Sequence, residues 1–236
     1  MKAFDKGDGK MILHEVETWS RRELEKLQLA RLQQTVQRVY ERVPFYRQKL
    51  VGRITPEHIR SLEDIQKLPF TTKKDLRDHY PFGLLAVDLQ QTVRLHASSG
   101  TSGKPTVVAY TKNDIENWAD IVARAIAIAG GERGQVLHNA YGYGLFTGGL
   151  GLHYGSERLG MVTVPVSGGN TDRQVMLIED FQPHVICGTP SYVLNIAERM
   201  KELGKDPRQT SLKYGIFGAE PWSEEMRKTL EEAFAI

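Results

Sequence analysis

Ser98-Ser99-Gly100-Thr101-Ser102-Gly103-Lys104-Pro105-Thr106, followed by Val107-Val108-Ala109-Tyr110, is the stretch that decides which fold can hold it. Small side chains let successive backbone N–H groups turn toward one anion, and the hydroxyls add donors. Gly100 and Gly103 can adopt positive φ without strain, and Lys104 supplies a point charge. That composition suits a loop that holds nucleotide phosphates. A Walker A loop is excluded, because its first glycine would fall at Ser98 and its lysine would precede Ser or Thr rather than Pro105. The run after the loop is β-branched and predicts a strand, where a Walker loop opens a helix. A nucleophile elbow is excluded as well, since Gly100-Thr101-Ser102-Gly103-Lys104 ends in lysine. The plain alternative is a polar hairpin turn without a ligand, the usual fate of an isolated Gly/Ser/Thr cluster.

Outward from this loop the chain divides by periodicity. Residues 20–43 carry Leu24, Leu27, Leu32, Val36, Val39 and Val43 at helical spacing, and Pro44 closes the stripe. Short helical pieces follow among Pro56, Pro69 and Pro81, with Thr72 as an N-cap and Asp75 in the first turn. Residues 1–90 therefore form a mainly helical region. From 91 to 236 strand and helix alternate. Strands are predicted at 92–97, 106–110, 135–140, 161–166, 184–188 and 212–217. Helices are predicted at 112–129, 145–158, 171–181, 190–203 and 223–235. Several strands, such as Met161-Val162-Thr163-Val164, are apolar on both faces, as in buried parallel sheets. The fold class is α/β: a helical N-terminal region and a βα-alternating, largely parallel sheet.

The 236 residues carry a net charge of +2, with 40% hydrophobic and 25% charged, an ordinary balance for a globular protein. This argues against a dedicated nucleic-acid surface. The basic run from Arg21 to Arg53 has no aromatic interleaving and reads as the solvated face of a helix. The single cysteine, Cys187, lies in an apolar strand and packs rather than reacts; one cysteine suits the cytoplasm. No stretch is long and apolar enough for a bilayer. The seven histidines are scattered without metal-ligand spacing, and His138 and His184 fall in strands as structural residues.

Two further segments carry chemistry. Tyr141-Gly142-Tyr143-Gly144-Leu145-Phe146-Thr147-Gly148-Gly149 follows a predicted strand, at the end where open α/β sheets bind ligands. Its glycines only loosely resemble a dinucleotide fingerprint, and the next strand ends without the acid that a ribose needs. Tyr141 and Phe146 can instead surround a flat apolar group, while Tyr143 reads as core. Phe217-Gly218-Ala219-Glu220-Pro221-Trp222 ends the last predicted strand. Gly218 and Ala219 leave room for a flat ring against the backbone, and Glu220 can accept a hydrogen bond. Gly188-Thr189-Pro190-Ser191 ends the strand before it, with Thr189 or Ser191 as the helix cap.

Taken in order, these segments resemble the phenylacetate-CoA ligase family of adenylate-forming enzymes. Val43-Pro44-Phe45-Tyr46 and Leu68-Pro69-Phe70-Thr71-Thr72-Lys73 add weaker marks. The resemblance implies ATP-dependent conversion of an aryl acetate to its acyl-adenylate, then transfer to coenzyme A. It implies ATP, Mg2+ and coenzyme A as cofactors, with small molecules as partners and a homodimer compatible with them. Ser98, Ser99, Gly100, Thr101, Ser102, Gly103 and Lys104 would hold the β- and γ-phosphates, Lys104 and Thr101 acting as pyrophosphate leaves. Gly218, Ala219, Glu220 and Pro221 would face the adenine. Tyr141, Gly142, Gly144 and Phe146 would line the acyl pocket. The family's Tyr-Gly-x-(Ser/Thr)-Glu segment, ribose-binding aspartate and C-terminal domain have no counterpart here. The chain is therefore expected to be an N-terminal fragment, inactive by itself. A sister ligase acting on another aryl acid or a deazaflavin coenzyme would share the phosphate loop, as would a non-catalytic nucleotide-binding module.

Overall fold

The computed structural model describes residues 4–5, 11–12, 14–98 and 103–236. The chain divides into two compact units, Lys2–Asn113 and Asp114–Ile236.

In the first unit, β1 (Phe4–Asp5) pairs antiparallel with β2 (Met11–Ile12). Helix α1 (Arg21–Arg42) opens on a capping box. Ser20 Oγ accepts from the Glu23 N–H, and the Glu23 carboxylate accepts from the Ser20 N–H at 2.8 Å. Pro44 ends α1 and also starts α2 (Pro44–Leu50), at a first-turn position that needs no N–H donor. Val36, Leu50, Ile54 and Ile59 form the buried core here, with Leu29, Leu32, Tyr40 and Leu68 packed around it. Helix α3 (Lys73–Asp78) has the predicted Thr72 cap, and Asp75 closes it as a capping box. The Thr72 N–H donates to Asp75 Oδ2 at 2.7 Å and Lys49 Nζ reaches it at 3.1 Å. These bonds hold the Asp75 carboxyl down at about 2. The unit ends in an antiparallel hairpin, β3 (Thr92–Ala97) with β4 (Val107–Thr111), in which Leu95 faces Ala109 and Ala97 faces Val107. Both strands were predicted, but they pair with each other in a two-stranded sheet of their own.

The second unit is built on four parallel strands, in the order β6-β5-β7-β8: β5 (Val136–Asn139), β6 (Val162–Val164), β7 (Val185–Gly188) and β8 (Tyr214–Phe217). The helices are α4 (Lys112–Ile128), α5 (Gly148–Leu159), α6 (Thr171–Phe181), α7 (Pro190–Glu202) and α8 (Glu224–Phe234), close to the predicted ranges. Helix α5 starts later than expected because residues 141–147 form the loop itself. Its end is set by Gly160 in the left-handed conformation, and α6 and α8 begin on Asn170 and Ser223 caps. Ile186, Val193, Ile196, Met200, Leu230 and Phe234 make the core between sheet and helices. Burial of each large side chain contributes roughly 1.5–3 kcal/mol.

Strand β5 lies between β6, which follows it, and β7, which follows β6. The winding direction therefore reverses between β5 and β7. In open α/β sheets the loops leaving the carboxyl ends diverge at such a reversal, and the crevice between them is where ligands bind.

Helices α4 and α5 meet through small residues four apart. A Cβ on Gly151 would lie 2.8 Å from the Trp118 ring, and one on Gly155 only 2.4 Å from Val122 Cγ1. Gly155→Ala should lower stability by about 1–3 kcal/mol despite its better helix propensity. Adding Val122→Ala should recover part of that loss; urea unfolding of the three variants checks both.

Candidate functional site

The crevice is organised by two buried residues at the end of β5. Asn139 is fully buried. Its Nδ2 donates to Tyr143 Oη and to the Gly149 carbonyl, both at 2.8 Å, and its Oδ1 accepts from the Tyr141 N–H at 3.3 Å. The loop folds back so that the Gly149 N–H donates to the Gly142 carbonyl at 3.2 Å. A Cβ on Gly149 would lie 2.7 Å from that same oxygen, so only glycine fits. Gly142 and Gly144 instead border open space.

His138, also buried, pairs through Nε2 with Gln174 Oε1 at 2.5 Å. Gln174 Nε2 then donates to the Ser167 and Gly169 carbonyls at 2.7 and 3.3 Å. Ser167 has φ of +69°, a strained conformation for a residue with a side chain. Its N–H donates to the Asn139 carbonyl at 3.1 Å and its Oγ accepts from the Tyr143 N–H at 3.3 Å. The loops after β5 and β6 are thereby tied together.

The aromatic residues divide. Tyr141 and Tyr143 are half-buried, while Phe146 is 61% exposed. Burial pushes both tyrosine hydroxyls up to about 12, so both are protonated donors at neutral pH. The Asn139 bond opposes that rise at Tyr143, and the nearby Gly218 backbone N–H opposes it at Tyr141. The Gly218 contact joins the loop after β5 to the segment after β8. A Cβ on Gly218 would stand 3.8 Å from Tyr141 Oη.

In Gly218–Pro221, Ala219 takes φ of +69°. The Glu220 carboxylate accepts from the Ser191 N–H at 2.6 Å and from Ser191 Oγ at 3.0 Å. Neither Thr189 nor Ser191 caps α7 with its own side chain, contrary to expectation: Glu220 does so from the neighbouring strand end. A carboxylate there meets both the unpaired N–H groups and the positive end of the helix dipole.

In the first unit, Ser98 closes the loop that β3 and β4 carry. Its N–H donates to the Thr106 carbonyl and its Oγ accepts from the Thr106 N–H, each at 3.0 Å. Gly103 has φ of +125°, the freedom that its glycine supplies. Lys104 is exposed, its Nζ 5.7 Å from the Tyr80 ring centroid. Ser99, Gly100, Thr101 and Ser102 lie outside the described residues. Among the described residues no group of three or more His, Cys, Asp or Glu could hold a metal, and no helix is long and apolar enough to cross a membrane. Cys187 is buried, and burial pushes its thiol well up, which suits packing.

Known proteins share this arrangement over nearly the whole chain. It is 57% identical over 223 residues to phenylacetate-coenzyme A ligase of Thermus thermophilus, covering 94% of this chain and 50% of that protein. The enzyme of the same name from Escherichia coli is 54% identical over 226 residues, covering 95% and 52%. The chain belongs to the phenylacetate-CoA ligase family. It spans about half the length of the curated relatives it matches. Among solved structures, 2-hydroxyisobutyryl-CoA ligase in complex with 2-HIB-AMP and CoA superposes with a TM-score of 0.87 at 32% identity, covering 92% of this chain and 48% of that one. No family model matches the chain.

The buried His138 gives a pH test. Desolvation lowers its pKa below the ordinary value near 6.5, so the folded state favours the neutral ring. Stability should hold above about pH 6.5 and fall as pH drops below it, because the unfolded chain takes up the proton first. Urea unfolding between pH 8 and 5 should show this decline, and His138→Gln should flatten it.

Proposed function

We propose that this chain forms the acyl- and nucleotide-binding part of an AMP-forming ligase acting on phenylacetate. The closeness of the Tyr141 hydroxyl to Gly218, where a Cβ would stand 3.8 Å from Oη, carries this reading. It sets the aromatic loop beside the Gly-Ala-Glu-Pro segment in one crevice, as a ligand that is an acyl group at one end and adenosine at the other requires. The 53–57% identity to enzymes named for phenylacetate supports the acyl class.

In the first half-reaction the phenylacetate carboxylate attacks the α-phosphorus of ATP; the bond from that phosphorus to the bridging oxygen breaks and pyrophosphate leaves. In the second, the coenzyme A thiolate attacks the acyl carbonyl, the C–S bond forms and AMP departs. Gly218 and Ala219 offer a flat backbone surface to the adenine. Glu220 holds that surface in place through Ser191. Tyr141, Gly142, Gly144 and Phe146 line the acyl side, where open space next to Gly142 and Gly144 leaves room for a ring. Ser98, Ser99, Gly100, Thr101, Ser102, Gly103 and Lys104 hold the β- and γ-phosphates. Lys104 and Thr101 there offset the charge that grows on departing pyrophosphate. The described residues provide no acidic cage for magnesium, so that ion would enter on the nucleotide's phosphates, where it would offset charge. The cytoplasm, which holds ATP and coenzyme A, is the compartment this chemistry fits.

Phenylacetate-dependent exchange of labelled pyrophosphate into ATP, measured on the full-length enzyme, tests the proposal. Lys104→Ala should reduce exchange by about 10²–10³-fold. Phe146→Ala should raise KM for phenylacetate more than KM for ATP. Exchange with 2-hydroxyisobutyrate in place of any aryl acetate would overturn the acyl assignment.

A further inference from the structure

We infer that Asn139 is a positioning residue for the acyl-binding loop, acting through Tyr143; this rests on the ligase reading above. Its side chain is buried at the end of a strand that has a neighbour on each side, so its own position is fixed by the sheet. All three of its side-chain bonds go to the loop that follows, at Tyr141, Tyr143 and Gly149. These are the start, the middle and the end of the segment that carries Tyr141, Gly142, Gly144 and Phe146.

The amide is the one side-chain group of this size that can make this set. It donates twice from one end and accepts at the other. Aspartate would set an acceptor against the Gly149 carbonyl, and leucine would leave all three loop groups without their partner. A segment with glycine at 142, 144, 148 and 149 has many conformations available. Three bonds to a rigid strand select one of them before any ligand arrives, which lowers the ordering needed on binding.

Tyr143 carries the constraint outward. Its hydroxyl lies 3.3 Å from His153 Nδ1, and His153 Nε2 lies 3.1 Å from Glu157 Oε1. In the tautomer that donates from Nε2 to Glu157, Nδ1 accepts a hydrogen bond from the Tyr143 hydroxyl while the Tyr143 oxygen accepts from Asn139. Donation then runs one way from Asn139 through Tyr143 and His153 to Glu157, an arrangement in which each bond polarises the next. His153 also stands edge-on to the Tyr143 ring, with centroids 5.8 Å apart. Tyr143 therefore serves the loop's geometry, not the ring contact assigned to Tyr141 and Phe146.

The test uses full-length enzyme and the same exchange assay, varying phenylacetate and ATP separately. Tyr143→Phe keeps the ring and removes only the hydroxyl. KM for phenylacetate should rise about five- to twentyfold, with KM for ATP unchanged and the melting curve close to wild type. Asn139→Ala should raise it further, and the double variant should fall short of the two single effects combined, because both remove the Asn139–Tyr143 bond. Should Asn139→Ala fail to fold, Tyr143→Phe decides. Equal changes in both KM values, or no change in either, in folded Tyr143→Phe would overturn the positioning role. A wild-type enzyme that exchanges with no aryl acetate would overturn the ligase reading itself, and this inference with it.

Discussion

A central parallel strand in a sheet covered by helices buries its side chains, so leaving a polar one without partners inside the protein is costly. Strand β5 carries two in succession, His138 and Asn139, and both are fully buried. The loops at the ligand end of the sheet answer them. His138 is met by Gln174, which in turn grips the backbone after β6. Asn139 is met by the loop after β5. The strained Ser167 links the two sets: its carbonyl accepts from Gln174, its N–H donates to the Asn139 carbonyl and its Oγ accepts from the Tyr143 N–H. A cost of order 1–3 kcal/mol for its backbone conformation is sustained because the surrounding bonds leave it no alternative.

The same strand is also where the winding direction reverses. Loops from β5 and β7 part company there, and the crevice between them needs a floor that does not move. That floor is polar rather than greasy, and the three side-chain bonds of Asn139 give the aromatic loop one geometry instead of several. Membership of the ligase family and the close superposition on an acyl-CoA ligase follow the same elements, since the shared region covers both the sheet and these loops.

Most of the fold was legible. Helical spacing found α1, alternation found the strands of the parallel sheet, and Thr72 with Asp75 marked the start of α3. Strands β3 and β4 were visible too, but their antiparallel partnership was not, because apolar patterning reports burial and not the direction of a neighbour. In the site, the ligand-facing candidates stood out by composition: glycines, aromatics, hydroxyls and one lysine. The residues that hold them did not. Asn139, Gln174 and Ser167 are common polar types whose roles depend on partners 10, 36 and 24 positions away. Gly149 looked like one glycine of several, yet it alone of the loop's glycines meets a backbone oxygen at 2.7 Å. Tyr143 was read as core, since nothing local distinguishes a packed tyrosine from one whose hydroxyl is engaged on both sides.

Glu220 has a consequence for where negative charge can go. In α/β folds, a helix that begins at the carboxyl edge of the sheet commonly offers its free N–H groups to a phosphate. Helix α7 begins at that edge, but its first turn already holds a carboxylate from the protein itself. The position is electrostatically filled. A nucleotide lying along Gly218–Pro221 would thus meet a helix end that repels its phosphates, and its anionic tail would have to turn away from α7. In such a pose the chain would set the polarity of the ligand with an acid that need never touch it.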